Sequence, residues 1–148
     1  MASMPKEVMD LVRATEPDVF KAIATVDEQG IPNVTPMGSI TAIDSETMAF
    51  VDGMTVHTRE NLEGKIPPTG RVNNKVSFTV CKRPVAGMPI GYQIKGTFIG
   101  FQTSGPIYDN FAQMFAARGI KFPIRAVGLV KVEEVYSQTP MQNSKKLT

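Results

Sequence analysis

The residues of this chain best suited to chemistry lie in one short run, VDGMTVHTRENL, from Val51 to Leu62. There a strand candidate ends at Asp52-Gly53 and hands over to a helix start that carries His57, Thr58, Arg59 and Asn61. Amide hydrogens at a helix start, a hydroxyl and neighbouring cations are the ingredients of a phosphate site. The same residues serve equally as a helix cap (Thr58) and a solvated surface charge (Arg59), and a single histidine is more often a surface or hydrogen-bonded group than a catalyst. Other chemistries find little to use. No G-x-S-x-G elbow accompanies His57, and Ser39 in MGSI lies within an extended stretch, so a serine hydrolase is not indicated. The sequence has neither a P-loop nor a Rossmann glycine pattern. Cys81, the one cysteine, reads as a buried or half-buried strand thiol, and one histidine is too few for a multi-histidine metal centre. Glu133 and Glu134 alternate to opposite faces of a strand and form no acid–base couple. No side chain is therefore assigned as catalytic, and none as a metal ligand.

What positions the run is a β-rich domain. The chain has 148 residues, 42% hydrophobic and 20% charged with a net charge of +2, the profile of a single domain spanning 1–148. Twelve Gly and eleven Pro imply frequent turns and short strands. Beyond the Lys145-Lys146 pair there is no basic block, which argues against nucleic acid as a partner. The N-terminal MASMPKEVMDLV is too charged for a signal peptide, and no stretch reaches the ~20 apolar residues that span a bilayer. A cytoplasmic protein with no membrane partner is expected.

Along the chain, Val8, Leu11 and Val12 share one face of a helix within residues 1–16 that starts near Ser3 and Pro5. VFKAIATV (Val19 to Val26), the long extended stretch PNVTPMGSITAI and TMAFV (Thr47 to Val51) read as a three-stranded meander. A short helix follows, with Gly64 as its C-terminal cap, then a loop, Lys65 to Asn74. The alternation of Val76, Phe78 and Val80 makes Lys75 to Lys82 a half-buried strand. After the loop Arg83 to Gly91, the strand Tyr92 to Phe101 carries Gly96 and Gly100, which signal bulges. Ile107, Phe111, Met114 and Phe115 mark an amphipathic helix closing near Gly119. Arg125 to Tyr136 is the last strand, and residues 137–148 read as a loosely held polar tail. Met37, Met48, Met54 and Met114 read as core fillers. Six mostly antiparallel strands with short peripheral helices make the fold mainly β, a small closed or nearly closed barrel.

The order of these elements resembles the pyridoxamine 5'-phosphate oxidase-like, FMN-binding split-barrel family, from about Val19 to Tyr136. The stretches that carry it are AIATVDEQGIPNVTPMG, FVDGMTVHTRENLEG followed by KVSFTV, GYQIKGTFIGFQTSGPIYDNF and AVGLVKVEEVYSQTP. The resemblance implies a six-stranded antiparallel split barrel, a homodimer and FMN in a groove at the subunit interface. His57, Thr58, Asn61 and Leu62 match the family's phosphate motif, with histidine where Lys or Arg is commoner. Arg59, Lys65 or Arg71 would then supply the missing charge. Asn33, Val34, Thr35, Pro36 and Met37 match the stretch that lines the isoalloxazine ring; Pro36 has no amide hydrogen, so Val34, Thr35 and Met37 would make the backbone contacts. Val51, Asp52 and Gly53 match the residues beside the ring.

The resemblance departs from the family pattern in two places. The loop from Lys65 to Asn74 is long, and nothing after Tyr136 matches the C-terminal substrate motif of true pyridoxamine phosphate oxidases. What remains is an FMN-dependent oxidoreductase of small molecules, with a small-molecule or nicotinamide electron donor, or a non-enzymatic FMN electron-transfer or carrier protein. A deazaflavin-binding split barrel is a further reading, which Lys65, Arg71 and Lys75 would support, whereas haem is disfavoured by the single histidine. The stretches Val85 to Ile90 and Gly119 to Ile124 are candidates to reach the partner's flavin.

Overall fold

The computed structural model describes residues 2–63, 74–83, 87–140 and 145–148. Its elements are α1 (Lys6–Arg13), β1 (Val19–Val26), β2 (Pro32–Pro36), β3 (Thr41–Asp44), β4 (Thr47–Asp52), α2 (His57–Leu62), β5 (Lys75–Lys82), β6 (Ile90–Gln102), α3 (Pro106–Ala117), β7 (Ala126–Ser137) and β8 (Lys145–Lys146). All strands belong to one antiparallel sheet of order β2-β1-β5-β6-β7-β4-β3, with β8 added to β7. The mainly β split-barrel expectation holds, with short helices on the periphery.

The predicted extended stretch after Pro32 is two strands, not one. Met37 to Ile40 turns the chain, because the Met37 amide donates to the Lys21 carbonyl (3.0 Å) and the Ile40 carbonyl accepts from Lys21 Nζ (2.9 Å). The expected meander is accordingly broken. β2 pairs with β1 at one end of the sheet, while the β3–β4 hairpin joins β7 at the other. Ser39 lies in the turn rather than mid-strand, and its Oγ accepts the Val51 amide at 3.0 Å, tying the turn to β4.

The core lies between the faces of the sheet. Ile23, Phe50, Phe78, Ile94, Phe98 and Val130 are fully or nearly fully buried, and Val8 and Val12 seat α1 against them. The alternation read from β5 is that of its buried Val76, Phe78 and Val80. Both glycine signals in β6 coincide with register shifts, between Lys95 and Gly96 and between Phe98 and Gly100. A Cβ at Gly96 would collide with the Lys131 carbonyl, and Gly100 has φ 136°, so each position requires glycine for its own reason. The first of these bulges also alters the strand period, and Glu133 and Glu134 both border one groove together with Lys75, Lys95 and Lys146. Cys81 is half-buried.

The C-terminal residues are held more firmly than their composition suggests. Leu147 packs on the core, its amide donates to the Val135 carbonyl (2.8 Å), and the Thr148 carbonyl accepts the Val135 amide (2.8 Å). Deleting residues 145–148 is expected to lower stability by about 1–2 kcal/mol, the scale of one partly buried leucine, seen as a reduced urea midpoint at unchanged slope.

Candidate functional site

The end of β4 and the start of α2 are welded by one buried carboxylate. Asp52 has no exposed side-chain surface; its Oδ2 accepts Arg59 Nη1 at 2.7 Å, and its Oδ1 accepts Thr55 Oγ1 at 2.6 Å and Arg125 Nη2 at 2.9 Å. Arg125 Nη2 also donates to the Thr55 carbonyl at 2.6 Å, and the Arg59 guanidinium lies 4.2 Å from the centre of the Phe101 ring. A buried carboxylate needs charged partners and donors, and this set supplies both. Asp52, expected beside a ring, is thus spent within the protein, and Arg59, expected to bring charge to a phosphate, is spent on Asp52.

A second polar cluster joins β2 to α2. Asn33 and Thr35, two residues apart on one face of β2, both reach Thr58. Asn33 Nδ2 donates to Thr35 Oγ1 and to Thr58 Oγ1, each at 3.2 Å, and the two hydroxyl oxygens are 3.0 Å apart. One hydroxyl hydrogen of that pair bonds the other oxygen, which leaves the second for an acceptor outside the triad. Thr58 is buried, and buried Asn61 donates to Thr25 Oγ1 at 3.0 Å, so α2 is fixed against β1 and β2 by side-chain amides and hydroxyls. Thr58 does not cap the helix: α2 has no side-chain N-cap bond. His57 stands away from the cluster, 74% exposed, with Nδ1 3.4 Å from Glu60 Oε2. Lys65, Arg71 and the expected cap Gly64 lie outside the described residues, as does most of the loop Lys65 to Asn74 and the Val85 end of the Val85 to Ile90 stretch.

Beside the triad opens a cavity of about 680 Å³. Of the residues expected around a flavin, Thr35, Pro36, Met37, Val51 and Gly53 line it; Asn33, Val34, Asp52, His57, Thr58, Arg59 and Asn61 do not. Its apolar wall also includes Met54, Met114, Phe115, Ile120 and Phe122. Met54 is 65% exposed, a rim residue rather than a core filler, whereas Met48 is fully buried. Ile120 and Phe122 bring the Gly119 to Ile124 stretch to this cavity on the same chain. Gly53 permits that approach, since a Cβ there would sit 2.7 Å from the Pro123 carbonyl oxygen.

The backbone of β2 narrows the expected contacts. The Met37 amide is already bonded to Lys21, and in an antiparallel ladder alternate residues face the same neighbour, so Thr35 turns its amide toward β1 as well. Val34, 67% exposed on the edge strand, keeps an outward amide, and its neighbour Pro36 has none to offer.

The cavity also carries basic residues, a feature with no counterpart in the sequence reading. Arg13, Lys21 and Arg118 line it against one carboxylate, Glu16. Lys21 is 6% exposed, with Nζ donating to the carbonyls of Val12 (2.6 Å) and Ile40 (2.9 Å). The first is an orphan carbonyl in the last turn of α1. Burial, and secondarily Arg118, push the Lys21 ammonium below its ordinary range, while Glu16 acts in the opposite sense. A lysine in a β-strand reads as a surface charge, and only the packing of α1 over β1 makes it a buried one.

Among the described residues no cluster of His, Cys, Asp or Glu could hold a metal ion, and no helix is long and apolar enough to cross a membrane. Among curated proteins none matches the chain. Solved structures do. HupZ from Group A Streptococcus superposes with TM-score 0.72 at 23% identity, covering 98% of this chain and 99% of that one. An FMN-binding protein from Syntrophomonas wolfei gives 0.71 at 16% identity, over 89% and 86% of the two chains. HutZ, the haem storage protein of Vibrio cholerae, gives 0.61 at 16% identity, over 91% and 94%. These likenesses establish the fold, while the sequence profile described as pyridoxamine 5'-phosphate oxidase matches residues 4–139. With that match over nearly the whole chain and the split barrel it folds into, the chain belongs to the pyridoxamine 5'-phosphate oxidase family.

Proposed function

We propose that the protein is an FMN-binding flavoprotein, an oxidoreductase that passes electrons or hydride through bound FMN to a small-molecule acceptor. The observation that carries this reading is the apolar cavity of about 680 Å³ bordered by Thr35, whose hydroxyl belongs to the half-buried Asn33–Thr35–Thr58 triad. A flat, largely apolar ring with a few edge polar atoms suits a cavity of that size and character. Met37 and Val51 offer apolar contact, and Met54 and Phe122 shield the rim from water. At the other end of the cofactor, the uncommitted hydroxyl hydrogen of the Thr35–Thr58 pair would bond the phosphate. FMN when bound supplies the redox chemistry; the chain binds, orients and shields it. Val34, Met54, Val56 and Phe122 are all at least 60% exposed, and a homodimer covering them around the cavity is part of this proposal.

Visible absorption of the purified protein, with mass analysis of the heat-released ligand, tests the reading directly. A flavin spectrum with an FMN mass supports it; a haem or deazaflavin spectrum replaces the cofactor, and a colourless protein that takes up no FMN overturns it. Bleaching by NAD(P)H favours the oxidoreductase over an electron carrier without a substrate. The phosphate assignment has its own test. Thr58→Val is expected to weaken FMN about tenfold or more, the scale of one hydrogen bond to a charged group, and to leave riboflavin affinity nearly unchanged. Equal losses for both ligands would remove the triad from the phosphate.

A further inference from the structure

The basic residues of the cavity have more donors than the protein uses. An ammonium carries three N–H groups, and Lys21 spends two on the carbonyls of Val12 and Ile40; the third has no acceptor among the described residues. The Arg118 guanidinium, with five donors, has no hydrogen-bond or ion-pair partner among the described residues. Arg13 spends Nε on the Ala42 carbonyl and Nη2 on the Ile43 carbonyl, both at 3.0 Å, and no carboxylate pairs with it among the described residues. Three cations therefore line this cavity against Glu16 alone. Unlike-charge imbalance beside an apolar wall raises the local concentration of anions and favours a ligand that has both parts.

We propose that these cations mark the co-substrate subsite of the cavity, and that it takes a small organic anion, a carboxylate on an apolar body. The carboxylate meets the third N–H of Lys21 and the Arg118 guanidinium. The apolar body lies against Met114, Phe115 and Ile120. Buried Lys21 gives the subsite its fixed point, because two carbonyl bonds hold its ammonium in place, while Arg118, exposed at the end of α3, gives it a second donor. The inference rests on the flavoprotein reading in one respect, that the ring lies against Met37 and Val51 and leaves Lys21 and Arg118 to the substrate.

Benzoate and its neutral isostere benzamide are the probes, titrated calorimetrically into the purified full chain with and without saturating FMN. Benzoate is expected to bind at least tenfold more tightly than benzamide, and the preference to shrink as salt rises. Arg118→Gln, on the surface and safe for folding, is expected to lose most of that preference while FMN and riboflavin affinities stay unchanged; Lys21→Met should do the same if it folds. Equal binding of benzoate and benzamide by the unaltered protein, or no binding of either, overturns the subsite. So does Arg118→Gln losing its discrimination of FMN from riboflavin, because the cations would then serve the cofactor phosphate. A benzoate preference that survives in a protein unable to bind FMN retains the anion site and sinks the flavin reading instead.

Discussion

Asp52→Ala is expected to destabilise the protein by roughly 3 kcal/mol, at the lower end of the range for breaking a buried ion pair. The carboxylate has no exposed surface, and its removal strands Arg59 at 25% exposure and Arg125 at 48%, both of which recover part of their hydration. That recovery is why the lower end of the range applies. Asp52→Asn should cost less, since it keeps an acceptor for one arginine. Arg59→Ala should also cost less, because Thr55 and Arg125 still face the carboxylate. Urea unfolding checks the order, with Asp52→Ala losing most and the slope constant across the series. A loss below about 1 kcal/mol would mean that the three partners are exchanged for water without penalty. The effect reaches the proposed phosphate end as well. A six-residue helix has no stability of its own, so α2 depends on Asp52, Thr25 and the Asn33–Thr35–Thr58 triad for its position. FMN affinity is expected to fall in Asp52→Ala although the side chain lines no part of the cavity.

The second large effect sits in the core, where β4 and β7 meet. Phe50 and Gly128 are register partners, and a Cβ on Gly128 would lie 2.9 Å from Phe50 Cε2 and closer still to two other ring carbons. Phe50 also packs against Phe78 and Phe101, with ring centres 6.5 Å and 6.2 Å away. Phe50→Ala is expected to cost about 3–5 kcal/mol by leaving a cavity. Gly128→Ala is expected to cost about 1–3 kcal/mol by overpacking the same space. Made together, each change removes part of the other's defect, so the double variant should be more stable than the sum of the two losses by at least 0.5 kcal/mol. Additive losses in thermal or urea unfolding would show that the ring and the glycine do not share one packing site.

Local features of this chain were legible because local physics decides them. β5 follows from Val76, Phe78 and Val80 alternating, and the bulges at Gly96 and Gly100 follow from glycine being the residue that fits there. Helix α3 follows from the spacing of Ile107, Phe111 and Met114. Features set by distant partners were not. PNVTPMGSITAI favours strand throughout, and its division is imposed by Lys21, far off in sequence and bonded to both ends of the turn. The pairing of β4 with β7 rather than with β2 likewise has no local signal. At the proposed site, the run Val51 to Leu62 read as the stretch best suited to chemistry, yet its charges are engaged with one another. Arg59 and Asp52 read as ligand-facing groups because residue type does not reveal an internal partner. Arg13, Lys21 and Arg118 come from three separate elements, and no spacing connects them until α1, β1 and α3 are in place.

The strand order has a consequence for how the chain is made. β4, which carries Val51, meets only β3 until β7 is available, some eighty residues later in the sequence. An isolated two-stranded hairpin is marginal in water, and synthesis proceeds from the N-terminus at about 5–20 residues per second. One wall of the cavity is therefore completed last, after Ala126 to Ser137 has left the ribosome. Until then β4 waits with its apolar face uncovered. During synthesis a ligand of this cavity can stabilise only finished molecules, so its supply sets how many chains stay folded after release, not how quickly they are assembled.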